Sequence, residues 1–484
     1  MAAPFLKRRT RAPRTSVSRS IFALVNDMDR AYFGRDAEGD DSIGYLGDNT
    51  RAIFGRSYAA EPDVLVEQLK KRPHGATFVG MEPVFWGPWV RYRPVHVSAR
   101  QRSMHTHVLG KTGSGKTSSV LWPQVMQDAL DGFGVLVMDA KGSDENISAM
   151  KTIAAAASRQ ASLLVFALPA WNQPQLFSHT YNMLHVRPRT PKDPGGDPVA
   201  VAERVFSVLP MGDNAYYNTQ AQLMFTDLCR LMHGMVDAQG IGLPFTMRDA
   251  TVLLKGLGSE GPFREALEHC LRNSLDREAA GNIDNQSRRL GHDLQKCMSG
   301  LVGAVDKFQS PLVNAYDPDI VIEDLLENNG LVYIQLPANL FKLQAPALGR
   351  VFLMDVQQAG ALRQVHRDTR NQTPFSVTVD EFYNFADVTV IDSLNKLRDA
   401  NLRYTLAHQS IADLELISKE FSVSVWDNTR TKVVLNQDNP ELCEKIAKSI
   451  GTHQIVEKTV RAQEGALFTS LVTGEPVVNT GKAG

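Results

Sequence analysis

The sequence predicts an α/β protein, a mainly parallel sheet wound with helices, into which an all-α domain is inserted. Three observations predict it. Short apolar runs rich in β-branched residues alternate with stretches of helical spacing. A glycine-rich GKTGSGKT segment, Gly110 to Thr117, directly follows the run His107-Val108-Leu109, and another run ends in paired carboxylates at VTVDE, Val377 to Glu381. Between these two segments lies a long interval without β-branched runs.

In chain order, residues 1–20 carry Lys7, Arg8, Arg9, Arg11, Arg14 and Arg19 and no acidic residue. Such a composition does not fold alone and attracts polyanions. A solvated tail and an arm that touches DNA or anionic lipid are both compatible with it. From Gly75 to Val97, short apolar and aromatic runs around Gly80, Gly87 and Pro88 predict strands joined by tight turns.

After the glycine-rich segment, Ser118 to Ala129 continues as a helix. Gly134 to Met138 is a second strand-like run, ending in Asp139-Ala140-Lys141-Gly142, and Leu163 to Ala167 is a third. Helical spacing, as in Leu223, Leu228, Leu231 and Met232, then dominates from Pro198 to Asn328. The Pro/Gly stretch from Pro188 to Pro198 and Asn328-Asn329-Gly330 mark its borders. Leu331 to Leu336 restarts the sheet, followed by Phe375 to Val379, Tyr404 to Ala407 and Lys432 to Leu435.

The expected organisation is a basic arm and N-terminal region (1–74), the first part of a nucleotide domain (75–187), an inserted all-α domain (188–328), the second part of the nucleotide domain (329–460) and a partly ordered tail (461–484).

At 484 residues, with 43% apolar and 22% charged residues, the chain is of the soluble globular class and long enough for two or three cores. A net charge of −1 selects no partner. The four cysteines, Cys229, Cys270, Cys297 and Cys443, have no C-x-x-C spacing, which argues against a zinc site or a disulfide framework and fits a reducing cytosol. No run of about 18 apolar residues is present to span a membrane. Ile21 to Val25 is too short for a secretory core, although Arg8-Arg9 superficially resembles a twin-arginine signal. His105 and His107 read as packing residues before a strand.

The chemistry is concentrated in two places. Gly110, Lys111, Thr112, Gly113, Ser114, Gly115, Lys116 and Thr117 fit G-x-x-x-x-G-K-[ST], in which backbone N–H groups and a helix N-terminus cradle phosphates. Lys116 reaches the β/γ-phosphates, and the Thr117 hydroxyl completes part of a Mg²⁺ shell otherwise made of waters and phosphates. A glycine-rich connection without chemistry is the competing reading; the strand before it and the helix after it favour phosphate binding. Asp380, at the C-terminal end of a buried strand, is expected to hold Mg²⁺ through water, and Glu381 to orient or deprotonate the attacking water. ATP and Mg²⁺ are therefore the expected ligands. Asp139 and Lys141 are weaker candidates, one a step removed from the reacting groups and the other structural.

The ordered set HVLGKTGSGKT (His107–Thr117), VLVMDAKG (Val135–Gly142), HTYNML (His179–Leu184), LVYIQLP (Leu331–Pro337), VTVDEFYNFA (Val377–Ala386) and LRDANLRYTLAHQS (Leu397–Ser410) resembles the type IV secretion coupling proteins. These are the TraG/TraD-like conjugation ATPases within the FtsK/HerA-type P-loop group. The resemblance covers roughly residues 75–450 and implies a RecA-like P-loop NTPase domain. It also implies catalytic roles for Arg398, presented to a neighbouring subunit's γ-phosphate, and for Gln409, which senses that phosphate or places water. A helix-surface ion pair for Arg398 and a polar strand end for Gln409 are the plainer readings.

What the resemblance further implies is a homo-hexameric ring whose helical domain receives substrate. The ring would drive single-stranded, relaxase-bound DNA, or a relaxase or other secreted protein, to a type IV secretion channel from the cytoplasmic face of the bacterial inner membrane. Family members commonly begin with membrane-spanning helices and this sequence shows none, so a separate membrane-anchoring partner is one expectation. A nucleotide-switched docking receptor without processive movement and a soluble FtsK/HerA-like DNA pump are the alternatives.

Overall fold

The computed structural model describes residues 62–450, apart from 87–88, 174–175, 388–390, 392–393, 395, 397 and 438. The arm at residues 1–20 and the tail from Gly465 lie outside the described residues. The chain divides into two compact units, Met1–Asn436 and Gln437–Gly484. Of the second, the described part is essentially one helix, α15 (Pro440–Ile450).

A helix α1 (Pro62–Lys71) leads into β1 (Thr77–Trp86) and β2 (Trp89–Val97), an antiparallel pair whose register breaks between Phe78 and Gly80. These are the strands expected between Gly75 and Val97. A single turn, α2 (Ala99–Arg102), then delivers the chain to the main sheet.

That sheet contains β3 (Thr106–Leu109), β4 (Gly134–Asp139), β5 (Leu163–Ala167), β6 (Leu331–Gln335), β7 (Phe375–Asp380), β8 (Leu402–His408) and β9 (Thr431–Val434). All its pairings are parallel, in the order β5-β6-β4-β7-β8-β3-β9. A parallel sheet needs a crossover between successive strands, and the crossovers place helices on both faces.

The alternation of side chains shows which face each strand residue serves. Val135 and Val137 of β4, with Leu331 and Tyr333 of β6, pack under α3 (Trp122–Leu130) and α4 (Asp144–Ala156). Leu136, Met138, Val332 and Ile334 point the other way, into the core beneath α12 (Gln344–Val365). Each such fully buried aliphatic chain contributes roughly 1.5–3 kcal/mol relative to exposure.

Strand β7 divides its faces by polarity. Phe375, Val377 and Val379 join the α12 side, whereas Ser376 faces α3 and donates to Asp128 Oδ2 at 2.7 Å. Arg102, 1% exposed, meets the same carboxylate at 2.5 Å, so the buried charge is compensated.

Between β5 and β6 run the helices α5 (Pro198–Val208), α6 (Ala215–His233), α7 (Met247–Gly256), α8 (Pro262–Asn273), α9 (Arg277–Leu290), α10 (Leu294–Val305) and α11 (Ile322–Glu327). Their starts follow from local chemistry: Asp197 caps α5, which has Pro198 in its first turn, Asn214 caps α6, and Asp276 caps α9. The apolar faces of α6 and α7 share one continuous core with the α12 side of the sheet. After β8 come α13 (Ile411–Glu415) and α14 (Lys419–Asn428). Cys229, Cys270, Cys297 and Cys443 are all free thiols. No helix among the described residues is long and apolar enough to cross a membrane.

Candidate nucleotide-binding site

Because every strand of the sheet runs the same way, the chain after β3, β4, β7 and β8 emerges on one edge. Strand β8 lies between β3 and β7. The glycine-rich segment, the paired carboxylates and Gln409 are thereby brought to neighbouring positions on that edge, the ligand-binding edge of open parallel sheets.

The segment from Gly110 to Thr117 forms a loop anchored on both flanks. Gly110 N–H points to His408 O at 3.4 Å and Lys111 N–H donates to Asn436 O at 3.1 Å. Gly115 has φ +80°, a left-handed conformation that a β-carbon disfavours, and it turns the chain into the next helix. That helix opens as a π-turn from Lys116 to Leu121 before tightening into α3. Widened turns of this kind recur at functional sites because they re-aim the groups at the helix start.

Lys116 is 4% exposed; its Nζ donates to Gly110 O at 2.6 Å and stands 3.9 Å from Glu381 Oε1. Burial lowers its pKa, and the carboxylates of Glu381 and Asp380 act against that shift. Thr117 Oγ1 donates to Asp380 Oδ2 at 2.8 Å. Asp380 is buried, and loss of hydration raises its pKa while Lys141 and the Thr117 hydroxyl pull it back down.

These two oxygen-bearing side chains suit a hard cation such as Mg²⁺. No group of three or more His, Cys, Asp or Glu that could hold a metal occurs among the described residues. Mg²⁺ keeps waters and phosphate oxygens rather than an all-protein cage, so this donor set fits it.

Glu381 follows in a left-handed conformation, φ 51° and ψ 51°. A non-glycine residue there is strained, and such strain clusters at functional positions. Its N–H donates to Asp380 Oδ1 at 3.0 Å and its carboxylate is buried. Lys141 Nζ stands 2.8 Å from Glu381 Oε1 and 3.9 Å from Asp380 Oδ2. Partial burial works against the Lys141 ammonium, but the two carboxylates outweigh it and its pKa rises.

Asp139 ends β4 directly beside Asp380 on β7. It accepts from Lys141 N–H, Asn146 Nδ2 and Tyr333 OH at 2.7–2.8 Å. Sequence reasoning gave Asp139 and Lys141 little weight and did not identify Asn146 or Tyr333. Asn146 is brought back to Asp139 by the turn from β4 into α4, and Tyr333 becomes a partner only through the pairing of β4 with β6.

Gln409 is half-buried at the end of β8, on the same edge as the phosphate loop. Arg398 is not there. It lies exposed in a short 3₁₀ turn, Arg398–Ala400, ahead of β8 on the opposite edge of the sheet. The seven residues of β8 separate the two edges by roughly 20 Å. His105 and His107 are buried packing residues. His105 meets Tyr404 edge to face, and His107 stacks against His408, whose Nε2 lies 2.5 Å from its own.

The fold is that of a RecA-like P-loop NTPase: a parallel sheet whose phosphate-loop strand and acidic strand flank a third strand. Comparison with solved structures finds the plasmid coupling protein TrwB in complex with the non-hydrolysable GTP analogue GDPNP, at 16% identity over 74% of this chain and 76% of that one, with a TM-score of 0.45. TrwB in complex with ADP and Mg²⁺ matches at 16% identity over 69% of this chain and 70% of that one, with a TM-score of 0.40. VirB4 of Thermoanaerobacter pseudethanolicus matches at 13% identity over 72% and 81% of the two chains, with a TM-score of 0.42. No curated protein sequence matches the chain.

Residues 374–478, from the start of β7 onward, match the family described as the TraM recognition site of TraD and TraG. In that segment, and in the HVLGKTGSGKT and VLVMDAKG segments that precede it in order, the chain is similar to the TraG/TraD-like type IV secretion coupling proteins.

Proposed function

We propose that the chain is an ATP-hydrolysing coupling protein that recruits relaxase-bound DNA or protein substrates and drives them to a type IV secretion or conjugation channel. One observation carries the reading: Lys116, Thr117, Asp380, Glu381 and Gln409 all stand on one edge of the sheet, with Thr117 and Asp380 in direct contact. In this reading the N–H groups of Gly110–Thr117 and the Lys116 ammonium bind the phosphates. Thr117, and Asp380 through water, hold Mg²⁺, which supplies neutralisation of the charge developing on the phosphate oxygens. Glu381 places the attacking water and Gln409 reports the γ-phosphate.

Arg398 serves a neighbouring subunit, since its own site lies a full strand length away. That arrangement calls for a ring, which we take to be a homo-hexamer at the cytoplasmic face of the inner membrane. Its partners are DNA, relaxase, a TraM-type relaxosome protein, channel components and a membrane-anchoring protein. DNA is gripped through its phosphates, so binding weakens steeply with salt.

The test is steady-state ATPase activity of the chain against protein concentration, with and without single- and double-stranded DNA. Activity per chain that rises steeply with concentration and is stimulated by DNA is expected. Hydrolysis indifferent to DNA would replace the motor by a nucleotide-switched docking receptor.

A further inference from the structure

Lys141 is the nearest cation to Glu381, and the way it is held suggests more than a chance ion pair. Among the described residues, neither Glu381 carboxylate oxygen is met by a hydrogen bond of good geometry, and the side chain is 4% exposed. Its compensating charge is the Lys141 ammonium at 2.8 Å, with Lys116 farther off at 3.9 Å. The Lys141 side chain is 45% exposed, so it keeps part of its hydration while reaching the buried oxygen.

The backbone carrying Lys141 is stitched down on every side. Asp139 Oδ1 accepts the Lys141 N–H at 2.8 Å. Leu336 and Ala338 N–H groups donate to Asp139 O and Ala140 O at 2.8 and 3.0 Å, extending the β6 pairing past the strand ends. Gln335 Nε2 donates to Gly142 O at 2.7 Å. Gly142 has φ +73°, and a β-carbon there would stand 2.8 Å from Pro337 Cβ, so only glycine allows this close turn. A lysine with no role beyond solubility needs no such mounting; a group that must hold another within about 0.5 Å does.

We infer that Lys141 is a positioning residue for Glu381, holding the carboxylate that places the attacking water. The inference rests on the hydrolysis reading above. Lys141 acts through Glu381 and not on the phosphates, so its loss slows turnover and leaves ATP binding intact.

The test is a double-mutant cycle of Lys141→Met and Glu381→Gln in the full chain, with Lys141→Arg as the conservative variant. It is read by thermal melting without nucleotide and by kcat and KM for ATP. Lys141→Met is expected to lower kcat roughly ten- to a hundredfold, part of the 10²–10⁴ that a positioned base contributes, with KM unchanged. Lys141→Arg restores most of it. In the Glu381→Gln background, Lys141→Met costs no further kcat, and its melting shift shrinks to the part owed to Asp380 at 3.9 Å. Independent, multiplying losses would overturn the inference, and so would a raised KM at constant kcat, which is the signature of a phosphate-binding lysine. A wild-type chain without ATPase activity would overturn the hydrolysis reading instead. The melting cycle would then decide on Lys141 by itself, additive shifts counting against it.

Discussion

Thr117 Oγ1 donates a hydrogen bond to Asp380 Oδ2 across 2.8 Å, joining the helix after the phosphate loop to a strand end 263 residues farther along the chain. The pair makes one prediction about Mg²⁺. In Thr117→Ala, ATP affinity measured with Mg²⁺ falls roughly 10–100-fold, while affinity measured in EDTA stays as in wild type. An unchanged ratio between the two conditions would remove Thr117 from the cation shell.

Glu381 is expected to matter for turnover and not for binding. Glu381→Gln keeps the shape of a buried side chain that contacts Lys141. It should retain ATP affinity while kcat drops by about 10²–10⁴. Hydrolysis persisting near the wild-type rate would mean that another group places the water.

Arg398, on the far edge from its own phosphate loop, yields a mixing prediction. Arg398→Ala chains and Lys116→Ala chains should each be inactive alone. Mixed, they should regain activity, because a Lys116→Ala subunit still presents Arg398 to an intact neighbouring site. Mixtures no more active than their components would exclude action between subunits.

Arg363, fully buried on α12, holds the turn carrying Arg398 from beneath. Its guanidinium donates to Leu326 O at 2.5 Å, Thr373 O at 3.0 Å and Ala400 O at 3.4 Å. Arg363→Met leaves these carbonyls unpaired and should cost on the order of 2–4 kcal/mol of stability. A melting temperature equal to wild type would show that water or a shifted turn replaces the contacts.

His105 gives a pH prediction. Burial, and after it the nearby charges of Arg398 and Arg102, lower its pKa from 6.5 to about 4, against the opposing bond to Leu394 O. Its Nδ1 accepts from Tyr404 N–H at 3.2 Å, so Nε2–H is the donor to Leu394 O at 3.1 Å. The unfolded chain takes up this proton near pH 6.5 and the folded one only near pH 4. The stability tied to neutral His105 is therefore complete above pH 6.5 and is lost as pH falls toward 4, by up to about 3 kcal/mol. His105→Gln should flatten the decline in melting temperature between pH 6.5 and pH 4.5. An equally steep decline in the variant would assign it to other groups.

Much of the sheet was legible because strand signals are local. Leu163–Ala167 and Gly134–Met138 are short apolar runs between turn formers, and they coincide with β5 and β4 to within a residue. Strand β8 was recognised only from Tyr404 to Ala407, because Arg403 at its start is charged. The structure buries that guanidinium over the Phe133 ring at 4.8 Å, a contact no sequence window contains. The run Phe375 to Val379 was legible as a buried strand, but the partner of its polar Ser376, Asp128 on α3, was not.

The glycine-rich loop and the paired carboxylates were legible in the sequence alone, because spacing along a short segment dictates how glycines, a lysine and a hydroxyl can be presented at a helix start. Tertiary structure decided the rest: that β8 stands between β3 and β7, that Lys141 meets Glu381, that Glu381 is left-handed, and that Arg398 faces away from its own site. The reason is that periodicity reports which face of an element is buried, whereas strand order and contacts between distant segments are set by the summed packing of the whole core.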